Sequence, residues 1–153
     1  MRSSLEGADE RANEQGGVAM SAADAPERIR RAAEFALDRK ARDVVALDLR
    51  GISSATDWFV IATGSSDIQV KAIADRISEG LREEIGEKPA HVEGLATARW
   101  VLLDYIDLVV HVFHPQAREF YQIETLWGDA PRLEFSDPDV PPHSDAAGRA
   151  SDT

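Results

Sequence analysis

Cysteine is absent from this sequence, which excludes a disulfide framework, thiolate zinc sites and cysteine nucleophiles together. No run of about 18 apolar residues occurs either, so no membrane-spanning helix is expected. The N-terminus lacks the apolar stretch of a secretory signal, and a cytoplasmic protein is the simplest reading. Positive charge is scarce: 17 Lys and Arg stand against 28 Asp and Glu, a net charge of −11. A protein that grips nucleic acid by its phosphates needs clustered cations to release counterions. Little direct nucleic-acid contact is therefore expected, and a basic protein partner fits better. Residues 1–24 hold five acids against two bases and residues 136–153 four against one, yet the middle stays acidic without them.

The chain does have the means to bury a core, since 43% of its 153 residues are hydrophobic. That length suits one domain with tails. Residues 1–23 are rich in Gly, Ala, Glu and Ser without apolar periodicity and read as a disordered leader. Residues 136–153, rich in Pro, Asp and Ser, read as a disordered tail. The folded unit is expected over residues 24–135.

Asp24 with Glu27 has capping-box spacing, with Pro26 between them, and predicts a helix start there. Ile29, Ala32, Ala33, Ala36 and Leu37 recur at helical spacing, with arginines outside. Two strands follow, over 44–49 and 57–64, the second apolar on both faces and so central. Ser66 and Gln69 again have capping-box spacing and open a helix with Val70, Ile73, Ile77, Leu81 and Ile85 on its buried stripe, stopped by Gly86. Strands are predicted over 90–94, 100–104 and 107–113, the last two so close that only an antiparallel hairpin can join them. His114 and Pro115 then open a helix carrying Phe120, Ile123 and Trp127 inward and ending at Gly128. The order is αββαβββα: an α/β fold with a mixed five-stranded sheet and flanking helices.

Three constellations could carry function. The turn Thr63-Gly64-Ser65-Ser66 joins a strand to a helix, where backbone N–H groups can cradle phosphate. The same placement occurs in nucleotidyltransferases, but their paired metal-binding aspartates have no counterpart here; the following strand offers only His91 and Glu93. A helix cap is the favoured reading, and a nucleotide-binding or nucleotidyltransferase-type enzyme working through Gly64–Ser66 is the runner-up. His91, His111 and His114 show no ligand spacing on one face, so each is read as structural, His114 as an N-cap, and no metal is expected. The third constellation is the hairpin: Trp100 opens one strand, Asp104 closes it, Tyr105 and Ile106 form the link, and Asp107 opens the next. Tyr-Ile is not turn chemistry. Aromatics beside two carboxylates compose a hot spot for a basic partner, and equally a core-edge Trp with a snorkelling Tyr.

The stretches D-W-F-V-I-A-T-G-S-S (57–66), V-E-G (92–94), W-V-L-L-D-Y-I-D-L-V-V-H-V-F (100–113) and R-E-F-Y-Q-I-E-T-L-W (118–127) resemble the ribosome-silencing factor, or Iojap-like, family. The resemblance runs over residues 28–134. It implies a nucleotidyltransferase-like fold without catalytic carboxylates, no enzymatic activity and no cofactor. It further implies a translational repressor, active when nutrients are short. Such a repressor binds the large ribosomal subunit through that subunit's fourteenth protein and keeps the small subunit from joining. By resemblance Trp100, Asp104, Tyr105 and Asp107, with Glu93, form the partner-binding surface. Arg118, Tyr121, Glu124 and Trp127 match the family's motifs too, with packing or salt bridges within the fold as their alternative role. A homodimer is compatible with this reading. Helix signal and resemblance both begin after Met20, and Gln15-Gly16-Gly17 can be encoded by a purine-rich stretch of the kind that precedes a start codon. Native translation is therefore expected to begin at Met20.

Overall fold

Which residues form which elements follows largely from caps and alternation. In the computed structural model, which describes residues 21–137, helix α1 spans Glu27–Asp38, α2 Asp67–Ile85, α3 Pro115–Tyr121 and α4 Ile123–Leu126. The strands are β1 Arg42–Asp48, β2 Trp58–Thr63, β3 His91–Glu93, β4 Trp100–Asp104, β5 Leu108–Phe113 and β6 Arg132–Phe135. The expectations for most of the leader, for most of the tail and for a start at Met20 fall outside the described residues; residues 21–23, counted in the leader, are instead ordered at the 3-10 turn before α1.

Helix α1 does not begin at Asp24. The Asp24 carboxylate turns back to accept the Ser21 N–H at 3.2 Å, closing a short 3-10 turn over Ala22–Asp24. The cause is Pro26, whose ring disfavours helical backbone at the residue before it. Ala25 is accordingly extended, with φ −68° and ψ 149°, and the helix starts one residue after the proline. Helix α2 matches its signals better. Ser66 Oγ accepts the Gln69 N–H at 3.1 Å, and Gly86 takes the left-handed C′ position with φ 80°. Ile85, the last residue of the expected stripe, is 41% exposed.

The six strands form one mixed sheet in the order β3-β4-β5-β2-β1-β6, one strand more than the sequence suggested. β2 and β5 run parallel at its centre, and every other pairing is antiparallel. The added strand β6 pairs with β1 through Val44–Leu47 and buries Leu133 and Phe135.

Alternation sorts the strand residues between two cores. Val44, Ala46, Val60, Ala62, Val101, Leu103, Leu108, Val110 and Val112 pack beneath α1 and α2. Val45, Leu47, Ile61 and Phe113 point the other way, toward Ala117, Ile123 and Ala130 of the α3–α4 region. The two long helices approach closely because position 80 is glycine. A Cβ there would lie 2.4 Å from Phe35 Cε2, while Arg31 and Arg76 stack their guanidiniums 4.5 and 4.6 Å from the Phe35 ring centre.

The third predicted helix is two short helices. Gln122 adopts φ 47° and ψ 49°, ending α3 and redirecting the chain into α4. Ile123 is buried as expected and Trp127 packs against the same core. Phe120, expected inward, is 79% exposed: α3, broken off at Gln122, turns Ala117 to the core instead.

Candidate functional site

The strand-to-helix turn at residues 63–66 is held by hydrogen bonds within the fold. Gly64 is required by contact, since a Cβ there would sit 2.9 Å from the Val70 nitrogen. Gln69 Oε1 accepts from both the Ser65 N–H and the Ser65 hydroxyl. Its Nε2 donates to the carbonyls of Arg39 and Lys40 at the end of α1. The Ser65 donors are thus spent on a clasp between α1 and α2, and the Gly64 N–H donates to the Phe113 carbonyl. A cleft of about 860 Å³ opens nearby, lined by Arg42, Thr63, Arg118, Glu124 and Arg132. Its central guanidinium is already committed: Arg118 donates to Glu124, to the Asp43 carbonyl and to Thr63 Oγ1. Burial alone would raise the Glu124 pKa, yet Arg118 and Arg132 hold it below the ordinary glutamate value. Arg118 and Glu124 are therefore an internal strut that ties α3 and α4 to β1 and β2. Among the described residues no group of three His, Asp or Glu is gathered closely enough to hold a metal ion.

The sheet has one uncovered region. Cross-strand neighbours share a face, and the register sets His91, Asp104, Val109 and Phe59 in one row across β3, β4, β5 and β2. The next row on that face is Glu93, Leu102, His111 and Ile61, and the next begins with Trp100 and Phe113. α3 and α4 cover the β2–β1 side of this face. His91 and Glu93 are exposed, and Leu102, Asp104, Val109 and Trp100 are half-buried. The result is an apolar strip edged with carboxylates, the surface composition that suits a partially basic protein.

Trp100 lies at the margin of this strip. Its ring packs 4.9 Å from Phe113 and 4.7 Å from Tyr121, centre to centre, and its indole Nε1–H donates to His111 Nδ1 at 3.0 Å. Asp104 ends β4, and its Oδ1 accepts the Ile106 N–H at 2.8 Å. That bond moves the turn one residue along: Ile106, not Tyr105, takes the left-handed position with φ 77° and is 63% exposed.

The five site residues expected from sequence therefore do not lie together. Trp100, Asp104 and Glu93 share the open face. Tyr105 does not: it is 6% exposed and points into the opposite core, beneath α2. Burial pushes its phenol up to about 12, with Ser78 beside it. Asp107 points toward the helices, where Arg28 Nη2 donates to it at 2.8 Å while Arg28 Nε donates to Glu87 at 2.6 Å. That bond from Arg28 holds the Asp107 carboxyl below the usual range. Sequence reasoning missed Leu102 and Val109. The alternation of W-V-L-L-D, with 100, 102 and 104 on one side, carried the signal for Leu102.

Comparison with known proteins gives the fold a context. The family described as "ribosomal silencing factor during starvation" matches residues 22–153. A Bacillus subtilis protein named ribosomal silencing factor RsfS is 48% identical over 98 residues, covering 64% of this chain and 82% of its own length. The chloroplastic protein Iojap of Zea mays is 35% identical over 106 residues, 67% of this chain and 44% of its own. Among solved structures, a protein from Chromobacterium violaceum superposes with a TM-score of 0.64 at 39% identity, covering 67% of this chain and 85% of that one. One from Bacillus halodurans gives 0.58 at 43% identity, covering 68% and 93%. The chain thus belongs to the ribosomal silencing factor family, whose name describes a regulator of ribosomes and not an enzyme.

Proposed function

We propose that this protein represses translation in the cytoplasm by docking on the large ribosomal subunit, through that subunit's fourteenth protein, and sterically preventing the small subunit from joining. The observation that carries the reading is the uncovered sheet face, on which Trp100, Leu102, Asp104 and Glu93 combine an apolar centre with an acidic edge. A ribosomal protein displays basic surface, and a carboxylate-edged face steers such a partner while its apolar centre supplies the burial. Tyr105 contributes from inside, holding β4 and the hairpin in place, and Asp107 forms a rim position held by Arg28. The acidic balance of the chain favours contact with ribosomal protein over RNA phosphates. The enzyme alternative has no comparable support: Ser65 donates to Gln69, Gly64 N–H donates to the Phe113 carbonyl, and the Ser66 hydroxyl caps the helix by accepting the Gln69 N–H.

The test is co-sedimentation with purified large subunits, paired with a subunit-joining assay. Trp100→Ala, shown to be folded, should weaken binding by roughly 30-fold or more, the scale of truncating an aromatic hot-spot residue, and should restore joining in proportion. A folded Trp100→Ala protein that binds and blocks joining like wild type would move the interface elsewhere.

A further inference from the structure

His111 is the one histidine of the described chain counted among the buried side chains, at 4% exposure, and it sits in apolar company. Phe59 meets its ring edge-on at 4.4 Å and Phe113 lies parallel to it at 6.1 Å. Its β5 neighbours are valines, and Val or Ile would fill the site without introducing polar atoms. The histidine instead carries a cost. Its Nε2 is buried with no hydrogen-bond partner among the described residues, and a buried, unpaired polar group is destabilising. Packing alone does not explain a residue that packs at a loss.

The other ring nitrogen supplies the explanation. Nδ1 accepts the indole N–H of Trp100, which requires the neutral tautomer with its proton on Nε2. Phe59 and Phe113 fix the plane of the imidazole, so the Nδ1 lone pair has one direction. Trp100 has one polar atom and two side-chain torsions, and stands half-buried at the margin of the open face. Without an acceptor beneath it, the indole N–H would turn toward water and the ring would sample other rotamers.

We infer that His111 is a positioning residue for the docking face: its Nδ1 holds Trp100 in the one orientation that presents the indole to the partner. The inference rests on the docking reading given above, and it adds a residue that never touches the partner. Orientation by a buried acceptor acts on the fraction of molecules ready to bind. When that fraction falls, the apparent association rate falls with it, while dissociation of the formed complex is unchanged. Removal of a direct contact does the reverse and speeds dissociation.

The experiment follows Trp100 and the ribosome together. In His111→Phe the aromatic volume remains and the acceptor is lost; in His111→Asn, Oδ1 returns an acceptor near the former Nδ1 position. The Trp100 indole N–H resonance, assigned with Trp100→Phe, should move upfield and lose protection from exchange in His111→Phe, and recover in His111→Asn. Association with purified large subunits should slow by about 3- to 10-fold in His111→Phe, the scale of releasing one ordered side chain. Dissociation should stay at the wild-type rate, and His111→Asn should restore association. Should His111→Phe not fold, His111→Leu deletes the same acceptor while leaving Trp100 intact, and should slow association likewise with dissociation unchanged. Wild-type association in a folded His111→Phe whose indole signal has moved would overturn the inference, as would an indole signal that does not move. Those outcomes differ from failure of the docking reading, in which Trp100→Ala itself binds like wild type.

Discussion

The Asp104 carboxylate has two duties, one structural and one electrostatic. Its Oδ1 accepts the Ile106 N–H that shapes the hairpin, and its charge edges the open face. Asn at this position keeps an Oδ1 acceptor and loses the charge, so Asp104→Asn should fold normally and bind large subunits more weakly, chiefly through slower association. Asp107 behaves differently because Arg28 already occupies it. Asp107→Asn should change binding by no more than about twofold and stability by at most ~1 kcal/mol, the range of an exposed ion pair. Surface binding kinetics on the two variants, with urea midpoints as control, separate these expectations; equal losses would put both carboxylates in contact with the partner. His111 gives a second residue-scale prediction. Burial lowers its pKa to about 4, against the pull of Asp104 in the other direction. A histidine whose folded pKa lies below its unfolded value takes up its proton more readily when unfolded. Its contribution is thus present above about pH 6.5 and lost as pH falls toward 4. Between pH 7 and pH 5 the loss should be roughly 2 kcal/mol, and the carboxylates held below their ordinary range respond only at lower pH. Urea unfolding of wild type should show this slope and His111→Asn should lack it; parallel pH profiles for the two proteins would refute it.

Between elements, the tightest constraint is the crossing of α1 and α2 over Phe35 and Gly80. Gly80→Ala would drive a methyl to 2.4 Å from the Phe35 ring, and Phe35 is clamped by Arg31 and Arg76, so it cannot swing aside. The helices must separate, at a cost of about 1–3 kcal/mol, read as a lower urea midpoint with an unchanged slope; an unshifted midpoint would mean the helices slide freely. This contact shows where the sequence stops being legible. The buried stripes of α1 and α2 could be read because their signal is local, but Phe35 against Gly80 is a long-range contact that no periodicity announces. The α2 caps at Ser66 and Gly86 and the His114-Pro115 start of α3 were legible for the same local reason. The break at Gln122 was not, because a left-handed glutamine carries no Gly or Pro signature. β6 was missed because its four residues stand beside a Pro- and Asp-rich tail and become a strand only by pairing with β1. Tyr105 was read as part of an exposed link, whereas it continues the alternation of β4 and joins Val101 and Leu103 in the core under the long helices.

At the scale of the whole molecule, the sheet divides the protein into a face sealed by two long helices and a face half left open, and charge is carried on both. This allows a test of whether the partner is drawn by the net charge of −11 or by carboxylates placed on the docking face. Glu93→Gln with Asp104→Asn removes two negative charges from the open face. Glu79→Gln with Glu83→Gln removes two from exposed positions on α2, on the far side of the sheet. Both double variants have the same net charge, so a field set by the total would slow association equally. Salt confines the influence of a surface charge to about 8–10 Å at moderate ionic strength, less than the combined depth of a sheet and a helix layer. The open-face pair should therefore slow association with large subunits several-fold at about 0.1 M salt and flatten its further dependence on ionic strength, while the α2 pair stays near wild type on both measures. Stopped-flow association at two salt concentrations decides it. Equal slowing by the two pairs would mean that the acidic chain is steered as a whole, and that the placement of Glu93 and Asp104 beside Trp100 contributes nothing to the encounter.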